Sequence, residues 1–491
     1  MRIDDTKNLP PLWLSAMPLI TLVALIIIVL IYMPDDALSG ASQLALIVAS
    51  SVCVAISMLW CHTPWETFEE GIKKTVGDAA ISILILLMIG VMSSTWMVSG
   101  VVPTFIYYGV QFMSPTFFLP CACIISALIS VMTGTSWTTI ATIGIALLGI
   151  GDALGIPVAL SAGAIISGAY FGDKMSPMSD TTVLASSMAS ADLFSHIRYM
   201  MYTTAPSITI SLLLYLFIGL GFSGTDMEIT TYTEGLSGTF NITLWTMLVP
   251  LFTAVLIYKK VSSMLTLILS SCFACLCALF TQSSLVAGIG GGSEVTASSL
   301  LSGIMTTCYT STNIDTGVAE INNLVSTRGM AGMLNTVWLI LCAMCFGSCM
   351  VTSQMLKSLT RILLRAIHST VSLVTSTVCS GLLLNMVMGD QFLSIIMNAS
   401  IFREEYERRG YRPELLSRST EDSSTVTSVL VPWTACGMTQ STVLGVPTIV
   451  YLPFCFFNLI SPLMSCIVAA LGFVPTPQKA NENTIKVGSI N

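Results

Sequence analysis

Apolar runs long enough to cross a bilayer, which takes roughly 17 to 25 residues, recur along nearly the whole chain. They include Leu12 to Met33, Gln43 to Trp60, Ala79 to Ser99, Ile156 to Phe171, Ala205 to Phe222, Leu244 to Tyr258, Leu265 to Phe280, Leu334 to Met355 and Ile449 to Phe473. About ten crossings, with hairpins between some of them, are expected from this pattern. Of the 491 residues, 54% are hydrophobic and 9% are charged, against about 25% charged in soluble domains. So few charges cannot cover a water-facing surface, and the expected fold class is an all-α polytopic membrane protein.

The first run is longer than a signal-peptide core and is followed by Pro34-Asp35-Asp36 rather than a small-residue cleavage site, so it is expected to remain as an anchor. The net charge of -7 does not point to a partner, because the acids are scattered and several lie inside apolar runs; no nucleic-acid partner is expected. The 15 cysteines fall almost wholly within apolar runs, where a thiol packs as a small hydrophobe. His62, His196 and His368 are isolated in sequence, and no Ser/His/Asp set or His-rich metal motif argues for an enzyme or a cofactor. Gly288 to Gly292 lacks the Lys-Ser/Thr of a phosphate loop and reads as a helix break.

Lysine and arginine set orientation, because they are retained on the cytoplasmic side. Lys73 and Lys74, Arg198, Lys259-Lys260, and Lys357 with Arg361 and Arg365 mark cytoplasmic ends, as does the patch Arg403, Arg408, Arg409, Arg412 and Arg418. The acidic stretch Ser223 to Thr239 and the loop Pro34 to Gly40 are expected outside. The block 79–222 then starts inside and ends outside, while 330–475 runs the other way. That is the mark of two inverted-topology repeats, each with a re-entrant hairpin and a discontinuous helix. Around them lie N-terminal helices (1–78), an outer loop with linking helices (223–329) and a cytoplasmic tail (476–491).

Within the repeats, polar clusters interrupt the apolar runs. The first, Gly172-Asp173-Lys174-Met175-Ser176-Pro177-Met178-Ser179-Asp180-Thr181-Thr182, follows an apolar run and combines helix breakers with acid and hydroxyl oxygens. The second runs from Ser417 through Glu421, Asp422, Ser423 and Thr425 to Thr427, with Pro432 breaking the helix a turn or two later. The hairpin tips supply a third element, with Thr135 and Ser136 in one half and Asn385, Asp390 and Gln391 in the other; the tips are expected to meet near the midplane. A broken helix is tolerated in a membrane only where it is buried in protein or lines a polar cavity. Oxygen-rich breaks offer the ligands that a small hard cation needs. Acids at membrane depth are functional candidates by default, which singles out Asp173, Asp180, Asp390 and Asp422 as ion-binding groups. The plainer alternative is that these acids cap helices or pair with Lys174, Arg198 or Arg418, and that the hydroxyls bond their own helix backbone.

The strings from Gly134 to Gly144, from Ala162 to Pro177 with Ser179-Asp180-Thr181-Thr182, and Leu416-Ser417-Arg418 with Glu421-Asp422-Ser423 and Thr425-Val426-Thr427 resemble the NhaC-type sodium/proton antiporters. Thr138 and Ser424 depart from that pattern, which favours glycine. The resemblance implies Na+ and H+ as transported ions, a bacterial inner-membrane location, and a mobile transport domain that commonly works within a homodimer. The same family includes malate/lactate and amino-acid exchangers, for which Lys174 or Arg418 would hold a substrate anion.

Overall fold

A computed structural model describes residues 9–32, 40–222, 226–318, 321–322 and 325–473. Pro34, Asp35 and Asp36 of the first expected outer loop, Glu320, the 476–491 tail and the side chains of Asp226 and Glu228 lie outside the described residues. Among the described residues the chain is helical, with nine helices long and apolar enough to cross a membrane and two further bent pairs. One expected crossing, Leu244 to Tyr258, belongs to a pair bent by 87°; another, Ile449 to Phe473, is bent by 58°. The run expected from Ala205 begins earlier, because Asp192 caps a 27-residue helix, Leu193–Gly219, by accepting the amide of Ser195.

Helix boundaries recur at a constant interval. Helices start at Pro115, Val158 and Asp180, and again at Thr370, Pro413 and Ala435, each pair 255 residues apart. They end at Thr133, Met175 and Ala189, and again at Met388, Leu430 and Leu444, with the same interval of 255.

The paired elements share their turn chemistry. Pro115–Thr133 ends on Gly134 at φ 70°, and Thr370–Met388 ends on Gly389 at φ 67°. Each glycine amide bonds the carbonyl four residues back, on Ser130 or Asn385. Left-handed backbone at a helix end favours glycine, which has no Cβ to clash. The chain then extends through Thr135 or Asp390 and begins a new helix at Ser136 or Gln391. The broken helices match as well, with Ser179 capping Asp180–Ala189 and Thr434 capping Ala435–Leu444. The break expected at Pro432 is there, between Ser428–Leu430 and Ala435–Leu444.

Close packing fixes these parts against one another. Pro115–Thr133 and Val158–Met175 touch along their length, and a Cβ on Gly172 would come within 2.3 Å of the Ala127 carbonyl oxygen. Small residues let membrane helices approach in this way. The Ser130 hydroxyl donates to the Ala169 carbonyl at 2.6 Å and adds a polar tie across the pair. Asp173 therefore leaves a tightly held helix at a fixed height beside the first tip.

Candidate ion-binding site

The first broken helix brings Asp173 to the first hairpin tip. Its Oδ2 accepts the Ser136 amide at 3.0 Å and the Ser136 hydroxyl at 2.7 Å, and its Oδ1 accepts the Ser179 hydroxyl at 2.5 Å. Ser179 in turn shares a 2.9 Å hydrogen bond with Thr181. Asp173 is buried, yet it borders a cleft of about 150 Å³ that is also lined by Thr135, Asp180, Thr181 and, from the second tip, Gln391. The two tips thus meet at one cavity. Its oxygen donors suit a small hard cation, since a hydroxyl that now donates to the carboxylate keeps lone pairs that can turn toward a metal ion.

In the second half the position matching Asp173 is Ser428, which donates to Gln391 at 3.2 Å, just as Asp173 binds Ser136. The same architecture therefore carries a carboxylate on one side and a neutral contact on the other.

Asp422 occupies a different place. It sits in a π turn, Glu421–Thr425, where all five residues are buried; such irregular turns are frequent at functional sites. Its Oδ1 pairs with Lys174 and accepts the hydroxyls of Ser461 at 2.9 Å and Thr203 at 3.3 Å. Lys174 also reaches Ser461 at 3.2 Å. Arg418 lies one turn before Asp422, its Nε 4.0 Å from Oδ2 and its guanidinium 4.6 Å from the Tyr199 ring centroid. Unlike the rest of the basic patch, Arg418 is fully buried and does not mark a surface end. Glu421, also fully buried, lies within electrostatic reach of both Asp173 and Lys174.

The remaining candidates divide by role. Asp390 is buried but caps Gln391–Arg408, accepting the Leu393 amide at 3.0 Å. Asn385 donates to the Ser424 carbonyl at 2.8 Å and to Thr427 at 3.0 Å, tying the hairpin to the π turn. The hydroxyls of Ser176 and Ser423 go to main-chain carbonyls, on Val131 at 2.8 Å and Ser419 at 2.8 Å. Asp180 is exposed at the start of its helix, on the wall of the cleft. Thr425 is fully buried and its hydroxyl has no hydrogen-bond partner among the described residues. The four singled-out acids therefore do not converge. Among the described residues no three His, Cys, Asp or Glu side chains come together as a metal cluster.

Several neighbours of Asp422 escaped the sequence reading. His196, whose Nδ1 is 2.7 Å from the Ser417 hydroxyl, was set aside as isolated, and Tyr199, Thr203 and Ser461 were not singled out. A signal existed. Buried His196, Thr203, Ser207 and Ser211 form a polar stripe on one face of Leu193–Gly219, as do Asn458, Ser461 and Ser465 on Phe456–Ala470.

A family model described as the Na+/H+ antiporter family matches residues 168–473, which hold both helix breaks and the π turn. The chain is 35% identical to the Na(+)/H(+) antiporter NhaC of Bacillus subtilis over 87% of its own length and 91% of that protein's. It belongs to the Na+/H+ antiporter family. A malate-2H(+)/Na(+)-lactate antiporter of the same bacterium is 32% identical, over 85% of this chain and 87% of that one. The arginine/ornithine antiporter ArcD of Halobacterium salinarum is 31% identical, over 87% and 86%. These relatives of the antiporter are transporters rather than enzymes, and the apolar helices make it a multi-pass membrane protein.

Proposed function

We propose that this antiporter exchanges Na+ for H+ across the bacterial inner membrane and that Asp173 is where the two ions compete. The observation that carries this reading is the carboxylate at the meeting point of two hairpin tips, with Ser136 and Ser179 on its oxygens and a cleft at its edge. Sodium binding would draw on Asp173, the hydroxyls of Ser136, Ser179 and Thr181, and Thr135 at the tip, while protonation of Asp173 removes its charge. Charge balance supports the same view. In the group formed by the first helix break and the π turn, the buried carboxylates Asp173, Glu421 and Asp422, when ionised, exceed the buried cations Lys174 and Arg418 by one; Asp390 and Glu414, also buried, lie apart from this group, on a helix cap and on Arg412. An unneutralised charge at membrane depth costs several kcal/mol, so either one Na+ or one H+ is favoured there.

The cleft wall includes Ile81 and Ser82, just after Lys73 and Lys74, and Ser263, just after Lys259 and Lys260. By the positive-inside rule those ends are cytoplasmic, which makes this conformation open to the cytoplasm. We read the two segments in 255-residue register as inverted repeats whose relative movement exposes the site to alternate sides. The test is Na+-driven proton movement in proteoliposomes. Loss of exchange in Asp173→Asn, with Asp390→Asn retaining it, supports the assignment, and equal loss in both counts against it.

A second reading, a carboxylate exchanger on the same fold, draws on the guanidinium of Arg418, fully buried and without a hydrogen-bond acceptor among the described residues. Malate or lactate uptake that is lost in Arg418→Gln, with no Na+/H+ exchange in the native protein, would favour it.

A further inference from the structure

The interior between Leu193–Gly219, the stretch 413–425 and Phe456–Ala470 holds an unusual set of polar atoms. His196 Nε2, Thr204 Oγ1, all three Arg418 nitrogens, Thr420 Oγ1, Asp422 Oδ2 and Ser465 Oγ are buried without a hydrogen-bond partner among the described residues. Buried polar groups are normally satisfied, and clusters of them are where water enters a protein interior. At the cytoplasmic end lies a surface cleft of about 180 Å³ lined by Ser195, Arg198, Tyr199, Tyr202, Arg412 and Glu414. Tyr199 lines that cleft and also faces the polar interior. The Tyr199 ring lies over Arg418, its hydroxyl donates to the Phe473 carbonyl at 3.1 Å, and it packs against Tyr202, which stacks on Phe473.

We propose that this interior is a hydrated proton route between the cytoplasm and the Lys174–Asp422 pair, separate from the cleft at Asp173, and that Tyr199 is its plug. The division of labour rests on the antiport reading: sodium uses the wide cleft, which ends at Asp173 and hydroxyl oxygens. Protons use the narrow route, where water and hydroxyls relay them. A proton arriving from a hydronium at the mouth is taken up by the Asp422 carboxylate, which loosens its hold on Lys174, and passes by way of Glu421 to Asp173, where it competes with sodium; Asp422 is left ionised and paired again, and the reverse sequence returns the proton to water.

Two experiments test the plug and the route independently. Thr204→Cys places a thiol within the route, and its modification by a small water-soluble methanethiosulfonate, read at residue 204 by mass spectrometry, requires no transport. The proposal expects slow labelling with Tyr199 in place, several-fold faster labelling in Tyr199→Ala, and slow labelling again in Tyr199→Phe, which keeps the ring. Equal labelling in Tyr199→Ala and the native background overturns it. The second variant is Thr204→Val. Because the hydroxyl has no hydrogen-bond partner among the described residues, an isosteric methyl leaves the fold intact, so the expected several-fold drop in exchange at saturating Na+, with the KM for Na+ unchanged, reports the route itself. An unchanged rate in Thr204→Val overturns the proposal even where Tyr199→Ala fails to fold. Absence of Na+/H+ exchange in the native protein would sink the antiport reading and leave the labelling result standing.

Discussion

Asp173 and Asp422 are both buried carboxylates in polar breaks, yet their partners give them different behaviour. Asp173 is held by two hydroxyls and an amide, so it can gain or lose a proton without stranding a fixed countercharge. Asp422 is bound to Lys174, and removing one partner of a buried ion pair typically costs 3–5 kcal/mol, whereas replacing both with apolar groups of similar size is often neutral. Asp422→Asn is therefore expected to lower the thermal midpoint of the purified protein substantially. The double variant Lys174→Met with Asp422→Leu should recover most of that loss while staying inactive; a double variant less stable than the single would contradict the account. At this scale the sequence revealed the acids, since an ionisable residue inside an apolar run is conspicuous. Their partners stayed hidden because Thr203 and Ser461 come from remote helices, and nothing local distinguishes them from hydroxyls that bond their own backbone.

The helical elements carry the interruptions that make the site. Each hairpin turns on a glycine in the left-handed region, and a Cβ at Gly134 would also stand 2.8 Å from the Met178 carbonyl oxygen. Left-handed backbone costs a residue with a side chain roughly 1–2 kcal/mol. Gly134→Ala and Gly389→Ala should each lower the thermal midpoint, because at each tip the new methyl meets atoms that cannot swing aside, the Met178 main chain at one and the Ala343 Cβ, 2.6 Å away, at the other. An unchanged midpoint for either variant in a thermal-shift measurement would contradict the strained turn at that tip. Both tips and the Pro432 break were legible, because Gly and Pro punctuate an apolar helix sharply. The π turn at Glu421–Thr425 was not, since no helix breaker marks it; it lies close against Gly381, where a Cβ would come within 2.3 Å of the Ser423 hydroxyl oxygen. The early start of Leu193–Gly219 was hidden too, because its first turns are polar enough to read as loop.

For the whole molecule, the two halves keep a register of 255 residues through three helix starts and three helix ends while sharing little sequence. Turn residues and helix lengths carry this register, which is why it is visible in the order of elements and not in identity. Orientation was read from a few basic residues, and Arg418 shows the weakness of that rule: a charge near a basic patch in sequence can sit deep in the protein when an acid one turn away accepts it. If the cleft at Asp173 opens to the cytoplasm, a cysteine at Ser82 or Ser263 should react with an impermeant thiol reagent in inverted vesicles and not in right-side-out ones, with Na+ slowing the reaction. Labelling from the outer face alone would reverse the assigned orientation.

The claim beneath all of these is that sodium and protons contend for the same oxygens at Asp173, and the pH dependence of exchange kinetics tests it most directly. In proteoliposomes of the native protein, the apparent KM for Na+ should rise by about tenfold for each unit by which pH falls below the site's titration range, as one proton displaces one ion, with the maximal rate little changed. A KM that stays constant while the maximal rate falls would mean that the proton binds elsewhere, and the competition account would be wrong.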